Sequence, residues 1–150
     1  MGFGDAIRTC LQKYATFGGR AARSEFWWFW LFGVLASLVA GVIDNALFGA
    51  PAGDGWISAL VGLALLLPSL AVSVRRLHDI GRSGWWWWIA VIPVIGWIVL
   101  IVWYCQASQP GTNRFGPDPM GREVVRPMAP TADLSAMATP LPEARTTEKP

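Results

Sequence analysis

The sequence predicts an all-α, polytopic membrane protein with three transmembrane helices, at about residues 26–48, 56–74 and 85–105. Three observations carry this expectation. First, 53% of the 150 residues are hydrophobic and only 15% are charged, and the charges are segregated. Between residues 26 and 74 the only ionisable side chains are Asp44 and Asp54. Whole helix lengths therefore lack the polar face that a helix on a soluble core requires. Second, the chain holds ten tryptophans, four of them consecutive at Trp85, Trp86, Trp87 and Trp88. Indole is amphipathic and collects at the level of the lipid headgroups. Third, Arg8, Lys13, Arg20 and Arg23 precede the first apolar run, and Arg75, Arg76 and Arg82 fill the link before the last. The link around Asp54 has neither Lys nor Arg. By the positive-inside rule the N-terminus and the arginine link are cytoplasmic, and the Asp54 link is outside.

Taken in order, residues 3–17 read as an amphipathic helix. Phe3, Ile7, Leu11 and Tyr14 fall on one face, with Phe17 nearby and polar residues on the rest. Such a segment before a span is expected to lie in the membrane interface or to cap the bundle. Gly18-Gly19 breaks it, and Ser24 is the expected N-cap of the first span. Residues 26–48 make roughly 34 Å of helix, enough to cross with tilt. Gly33, Ser37, Ala40 and Asp44 give it a face of small residues suited to close helix approach. Asp44 is read as an interfacial or capping carboxylate in preference to an internal polar partner or an ion site.

The second span, 56–74, carries Ser58, Gly62, Ser69 and Ser73 on one narrow arc, a natural partner for that small face. Its internal Pro68 either kinks the helix or is tolerated because a neighbour satisfies the freed carbonyl. Ser83 is placed to cap the third run, 85–105. The Pro93–Gly96 interruption in that run is read as a kink in preference to a broken helix. Three crossings put the C-terminus outside. Arg114, Arg122 and Arg126 lie close behind the third run and weigh against this, leaving a re-entrant segment or another crossing count open. Residues 1–119 form the expected membrane domain. Residues 120–150, rich in Pro, Ala and Thr, are expected to be a disordered tail.

Several function classes are disfavoured. A net charge of +2 is too small to imply nucleic-acid binding. Cys10 and Cys105 lack metal-ligand spacing and are expected to be structural or incidental, without a disulfide. No cleavable signal peptide is expected, because the first apolar run is long enough to span. His78 beside Asp79 invites an acid–base or metal reading. However, adjacent helical residues point about 100° apart, His78 is the only histidine, and Ser83 lacks a nucleophile elbow. No catalytic residue, metal or cofactor is expected.

Four stretches together carry a resemblance. They are Phe17-Gly18-Gly19-Arg20-Ala21-Ala22-Arg23-Ser24-Glu25-Phe26-Trp27; Arg75-Arg76-Leu77-His78-Asp79 with Gly81-Arg82-Ser83-Gly84-Trp85-Trp86; Ile92-Pro93 to Gly96-Trp97; and Cys105 with Gly111-Thr112-Asn113-Arg114-Phe115-Gly116-Pro117-Asp118-Pro119. In order and spacing the chain resembles the DUF805 family over about residues 10–119. Gly19 departs from the polar residue more usual there. The resemblance implies a small bacterial inner-membrane helical protein and supplies no activity and no catalytic residues.

The expected function is that of a non-enzymatic structural or interaction protein of the inner membrane, using a basic cytoplasmic face. The candidate interface network comprises Arg20, Arg23, Glu25, Arg75, Arg76, His78, Asp79, Arg82, Arg114 and Asp118. Its last two members join only if the tail returns to that face, which three crossings do not allow. The expected partners are the bilayer with its anionic headgroups, a second copy of the chain, or other membrane proteins. The alternative is a small transporter or channel subunit built around Asp44. A continuous polar path through Ser37, Asp44, Ser69 and Ser73 would favour it.

Overall fold

A computed structural model describes residues 1–49, 51 and 55–122. The chain runs through α1 (Phe3–Gln12), α2 (Arg23–Phe48), α3 (Trp56–Asp79), a 3-10 segment (Gly84–Val91) and α4 (Ile95–Cys105). The Asp54 link and the tail beyond residue 122 lie outside the described residues.

Among the described residues two helices are long and apolar enough to span a bilayer: α2 with 26 residues and α3 with 24. At ~1.5 Å per residue each exceeds the ~30 Å hydrocarbon thickness. Their outer faces are bare, with Leu38 61%, Val42 69% and Leu63 69% exposed. Water would not tolerate that much open aliphatic surface, whereas lipid covers it. Both helices extend further into the basic stretches than the sequence suggests. α2 starts at Arg23, so Ser24 sits inside the first turn, and Ala22 occupies the N-cap without a side-chain bond. α3 continues through Arg75, Arg76 and Asp79, which were expected in a link. Those charged side chains turn inward and pair, so the backbone need not leave the helix to solvate them.

The far ends of α2 and α3 are joined by Asp44, which is fully buried. Its carboxylate accepts the Ile57 N–H at 3.0 Å and the Ser58 N–H and hydroxyl at 2.7 Å each. The first free N–H groups of α3 are thus capped from the neighbouring helix rather than from its own N-cap, Gly55. Gly55 must be glycine, since a Cβ there would lie 1.9 Å from Asp44 Cγ. Inside α3, Pro68 cannot donate to Ala64 O. The Tyr14 hydroxyl donates to that carbonyl instead, at 2.5 Å.

α1 is shorter than the predicted 3–17 and ends at Gln12. It packs on α2 through small Ala6 and Cys10, both buried, while Phe3, Leu11, Tyr14 and Phe17 stay exposed. Phe3 meets Trp28 edge-to-face at 5.7 Å.

The continuous third helix expected over 85–105 is not what forms. The 3-10 segment stops at Val91, and α4 restarts at Ile95 with only 11 residues, about 16 Å of helix. Between them Val94 has φ 65° and ψ −65°, and the Ile95 N–H bonds Pro93 O at 2.8 Å. This is the strained γ-turn, which reverses the chain within three residues. The two arms then run antiparallel. Trp97 Nε1 donates to Ala90 O at 3.0 Å, and Trp86 and Trp103 meet at 5.6 Å. Gly96 admits the close approach, because a Cβ there would sit 1.8 Å from Ile89 O. The expected kink is therefore a full turn. Proline removed a helical donor, and the glycine let the returning arm touch the outgoing backbone.

The buried apolar cluster, which includes Phe26, Phe29, Val72, Leu77, Leu100 and Tyr104, gathers where α2, α3 and α4 meet near the arginine-bearing end. Phe26 and Tyr104 rings lie 4.3 Å apart. The hairpin returns residues 106–122 to that same end.

Candidate functional site

Three arginines lie buried at this end: Arg20, Arg75 and Arg76. Glu25 and Asp79 are buried with them, and so is Asp118 of the returning chain. An unpaired buried charge costs several kcal/mol, so the arrangement of partners decides whether such a cluster can exist.

Asp79 is the hub. Arg20 Nε and Nη2 reach its Oδ1 at 2.9 Å, and Arg76 Nη1 reaches its Oδ2 at 2.5 Å. Both guanidinium groups then spend their remaining donors on backbone carbonyls. Arg20 Nη1 donates to Gly111 O at 2.6 Å, and Nη2 donates to Gln109 O. Arg76 Nε and Nη2 donate to Tyr104 O at 3.2 and 3.1 Å, and Nη2 also reaches Gln106 O. Those oxygens include the unsatisfied carbonyls at the C-terminal end of α4, where a cation is favoured by the exposed C=O groups and the helix dipole. Arg23 adds a longer bond to Cys105 O at 3.4 Å. One carboxylate on α3 thereby holds two arginines that cap α4 and clasp the returning chain.

A second group adjoins it. Arg75 Nη1 pairs with Glu25 Oε1 at 2.5 Å, and the Cys10 thiol contacts both partners. Arg75 also anchors the N-terminal segment, since its carbonyl accepts the Ala21 N–H at 3.0 Å. Arg75 Nε has no hydrogen-bond partner among the described residues. Burial, then the Glu25 charge, pushes the Cys10 thiol up to about 12. Cys10 is therefore a neutral thiol at physiological pH, while Cys105 is exposed.

The remaining predicted residues divide by partner. His78 does not face Asp79, whose oxygens are taken. Its Nδ1 lies 3.2 Å from Gly19 O and must carry the proton, because a carbonyl only accepts. Its ring stacks on Phe115 at 3.9 Å, and Arg114 lies over the other ring, 4.6 Å from the Phe115 centroid. Arg114 donates to Gly81 O at 3.0 Å. Arg82 sits over Trp103 at 4.0 Å. Asp118 pairs with Arg122 at 2.9 Å. Burial raises the Asp118 carboxyl, but the Met120 N–H and Arg122 outweigh it and hold it below the ordinary carboxylate range.

The expectation that the tail cannot reach this face is overturned, because the hairpin brings it back. Asn113 donates to His78 O at 2.9 Å, and Gln109 N–H donates to Asp79 O at 3.1 Å. Sequence reasoning missed Gln109, Ser108, Arg122 and the carbonyls of Tyr104, Gln106 and Gly111. Carbonyl acceptors are identical at every residue, so no side-chain signal marks them. The polar, turn-rich run 106–119 was the one available sign. Among the described residues no group of three or more His, Cys, Asp or Glu side chains could hold a metal ion.

Two bare apolar helices, a reversed hairpin and an internally paired arginine end define a multi-pass helical membrane protein. More particularly, residues 14–117 match the family described as protein of unknown function DUF805, and the chain belongs to that family. It is 46% identical over 110 residues to the inner membrane protein YhaH of Escherichia coli strain K12, covering 73% of this chain and 91% of that one. It is 42% identical over 110 residues to the inner membrane protein YhaI of the same strain, covering 73% and 90%. A third relative there, the uncharacterized protein YiiR, is 36% identical over 95 residues, covering 61% and 58%. No solved structure matches the chain. The chain is accordingly a bacterial inner-membrane, multi-pass protein.

Proposed function

We propose that the chain is a non-enzymatic structural or interaction protein. It crosses the inner membrane twice, inserts the 84–105 hairpin into the cytoplasmic leaflet only, and presents its arginine end to the cytoplasm. The observation that carries this reading is the closed pairing of Arg20, Arg76 and Asp79 with carbonyls of the returning chain. An 11-residue α4 is too short for a crossing, and Arg82, over Trp103, and Arg76, on Tyr104 O, hold the end of the returning arm at the arginine level. Positive charge on both sides of the hairpin then stays inside, in keeping with the positive-inside rule.

A transporter built on Asp44 is disfavoured for a specific reason. Asp44 is fully engaged in capping α3, and the Ser73 hydroxyl is spent on Ser69 O at 2.7 Å. Outward-facing Arg8, Arg23 and Arg114 suit anionic headgroups or an acidic protein partner.

Single cysteines at positions 8, 54 and 114, in a Cys105→Ser background, test the arrangement by impermeant labelling of intact cells. Positions 8 and 114 should be protected and position 54 labelled. Labelling of 114 together with 54 would restore three crossings. In-cell crosslinking that recovers no partner, no second copy and no lipid preference would overturn the interaction reading.

A further inference from the structure

We propose that a trough winding along α3 holds one anionic glycerophospholipid of the arginine-side leaflet, with its headgroup at Ser83 and His78. This deepens the lipid part of the reading above by naming a site, and it does not depend on any protein partner.

Three cavities of about 600, 310 and 540 Å3 follow one another along α3. The first and second share Leu66 and Ser69, and the second and third share Leu70 and Trp87. The lining residues Gly62, Leu66, Leu70, Val74 and His78 are spaced four apart. They form one i, i+4 row, which drifts slowly around a helix and makes a continuous winding groove. From residue 62 to residue 74 the row rises about 18 Å. That is close to one leaflet of a ~30 Å hydrocarbon core, the depth a single acyl chain fills. The far end is open, because a Cβ on Gly62 or on facing Gly33 would meet nothing within 4 Å.

The near end carries the polar side chains His78 and Ser83, with Arg114 one ring behind His78. Ser83 Oγ accepts the Trp85 N–H at 3.5 Å, which leaves its own proton free to donate to a phosphate oxygen. With Nδ1 turned to Gly19 O, His78 presents Nε2 as an acceptor for a headgroup hydroxyl. Gly84 keeps this mouth open, since a Cβ there would stand 2.6 Å from Val74 Cγ1 and 3.4 Å from His78 Nε2. Behind the mouth, Phe115 stacks on His78 and Arg114 lies over the Phe115 ring. Arg114 and Arg82 have no carboxylate partner among the described residues, and no carboxylate lines the trough. An anionic, hydroxyl-bearing headgroup such as phosphatidylglycerol complements this end.

The test uses full-length protein in phosphatidylethanolamine vesicles containing phosphatidylglycerol with a photoreactive acyl chain. Crosslinks should concentrate on residues 66–74. Gly62→Leu, where the added side chain meets open space, and Leu70→Trp should each reduce them several-fold. Ser83→Ala should weaken labelling by the phosphatidylglycerol probe, and a phosphatidylethanolamine probe should label less throughout. Equal labelling of α2 and α3 by both probes, unchanged by Gly62→Leu, would reduce the trough to ordinary annular lipid. Dissociation of a dimer by the same variant would give the trough to a second copy. Either result overturns the proposal and leaves the partner-crosslinking test standing.

Discussion

Asp79 carries more of this structure than any other single side chain. It neutralises two buried arginines and thereby lets both reach the carbonyls of residues 104–111. Removing one partner of such a cluster leaves a buried charge uncompensated, which costs about 3–5 kcal/mol. Asp79→Asn should therefore sharply lower the melting temperature of the purified protein and its yield as a single species, whereas Arg114→Gln at the exposed rim should change neither. Equal melting of the two variants would refute the hub role. Cys10 gives a second check. With its pKa pushed up to about 12 by burial and Glu25, it holds almost no thiolate at pH 8. Alkylation of the native protein should modify Cys105 and spare Cys10, and both should react after denaturation.

At the scale of elements, the hairpin is the feature that most needed its neighbours. Val94 sits at a positive φ that a β-branched residue adopts only under constraint. Val94→Gly should relieve this and stabilise the fold by about 1 kcal/mol. Gly96→Ala should destabilise it by about 1–3 kcal/mol, because the new methyl meets a backbone oxygen that cannot move aside. Thermal melts of both variants in one detergent check the opposite signs. The two long helices behave differently. Their length and bare apolar faces follow from composition, and their ends are fixed by single contacts: Asp44 on α3, and Gly49, with φ 63°, closing α2. The small-residue faces were legible in the sequence, but they are not uniformly filled. Ala40, Gly41 and Asp44 pack closely, while Gly33 and Gly62 border open space.

At the scale of the molecule, the returning segment closes the arginine end. Asp118 helps fasten it by accepting from Met120 N–H and Arg122. Its pKa is lower folded than unfolded, so its contribution is complete above the unfolded value near 3.8 and is lost as pH falls through the folded value. Proteolytic cleavage within residues 106–122 should accelerate below that range, and Asp118→Asn should make cleavage fast at neutral pH as well. An Asp118→Asn protein as resistant as the parent at pH 7 would show that the segment is held by Arg20 and Arg76 alone.

What the sequence by itself determined is the solvent and the poles of this protein. Apolar runs of helical length, a tryptophan belt and arginines massed on particular links dictate a helical membrane protein with a basic end, because hydration of charge and transfer of aliphatic groups to lipid depend on composition and barely on contacts. Only the tertiary structure decided that the third apolar run turns back. Pro93 and Gly96 permit either a kink or a reversal, and the choice rests on Arg20 and Arg76 finding carbonyls on the returning chain. Those acceptors belong to the backbone, which every residue shares, so beyond the polar, turn-rich character of residues 106–119 no side chain marks them.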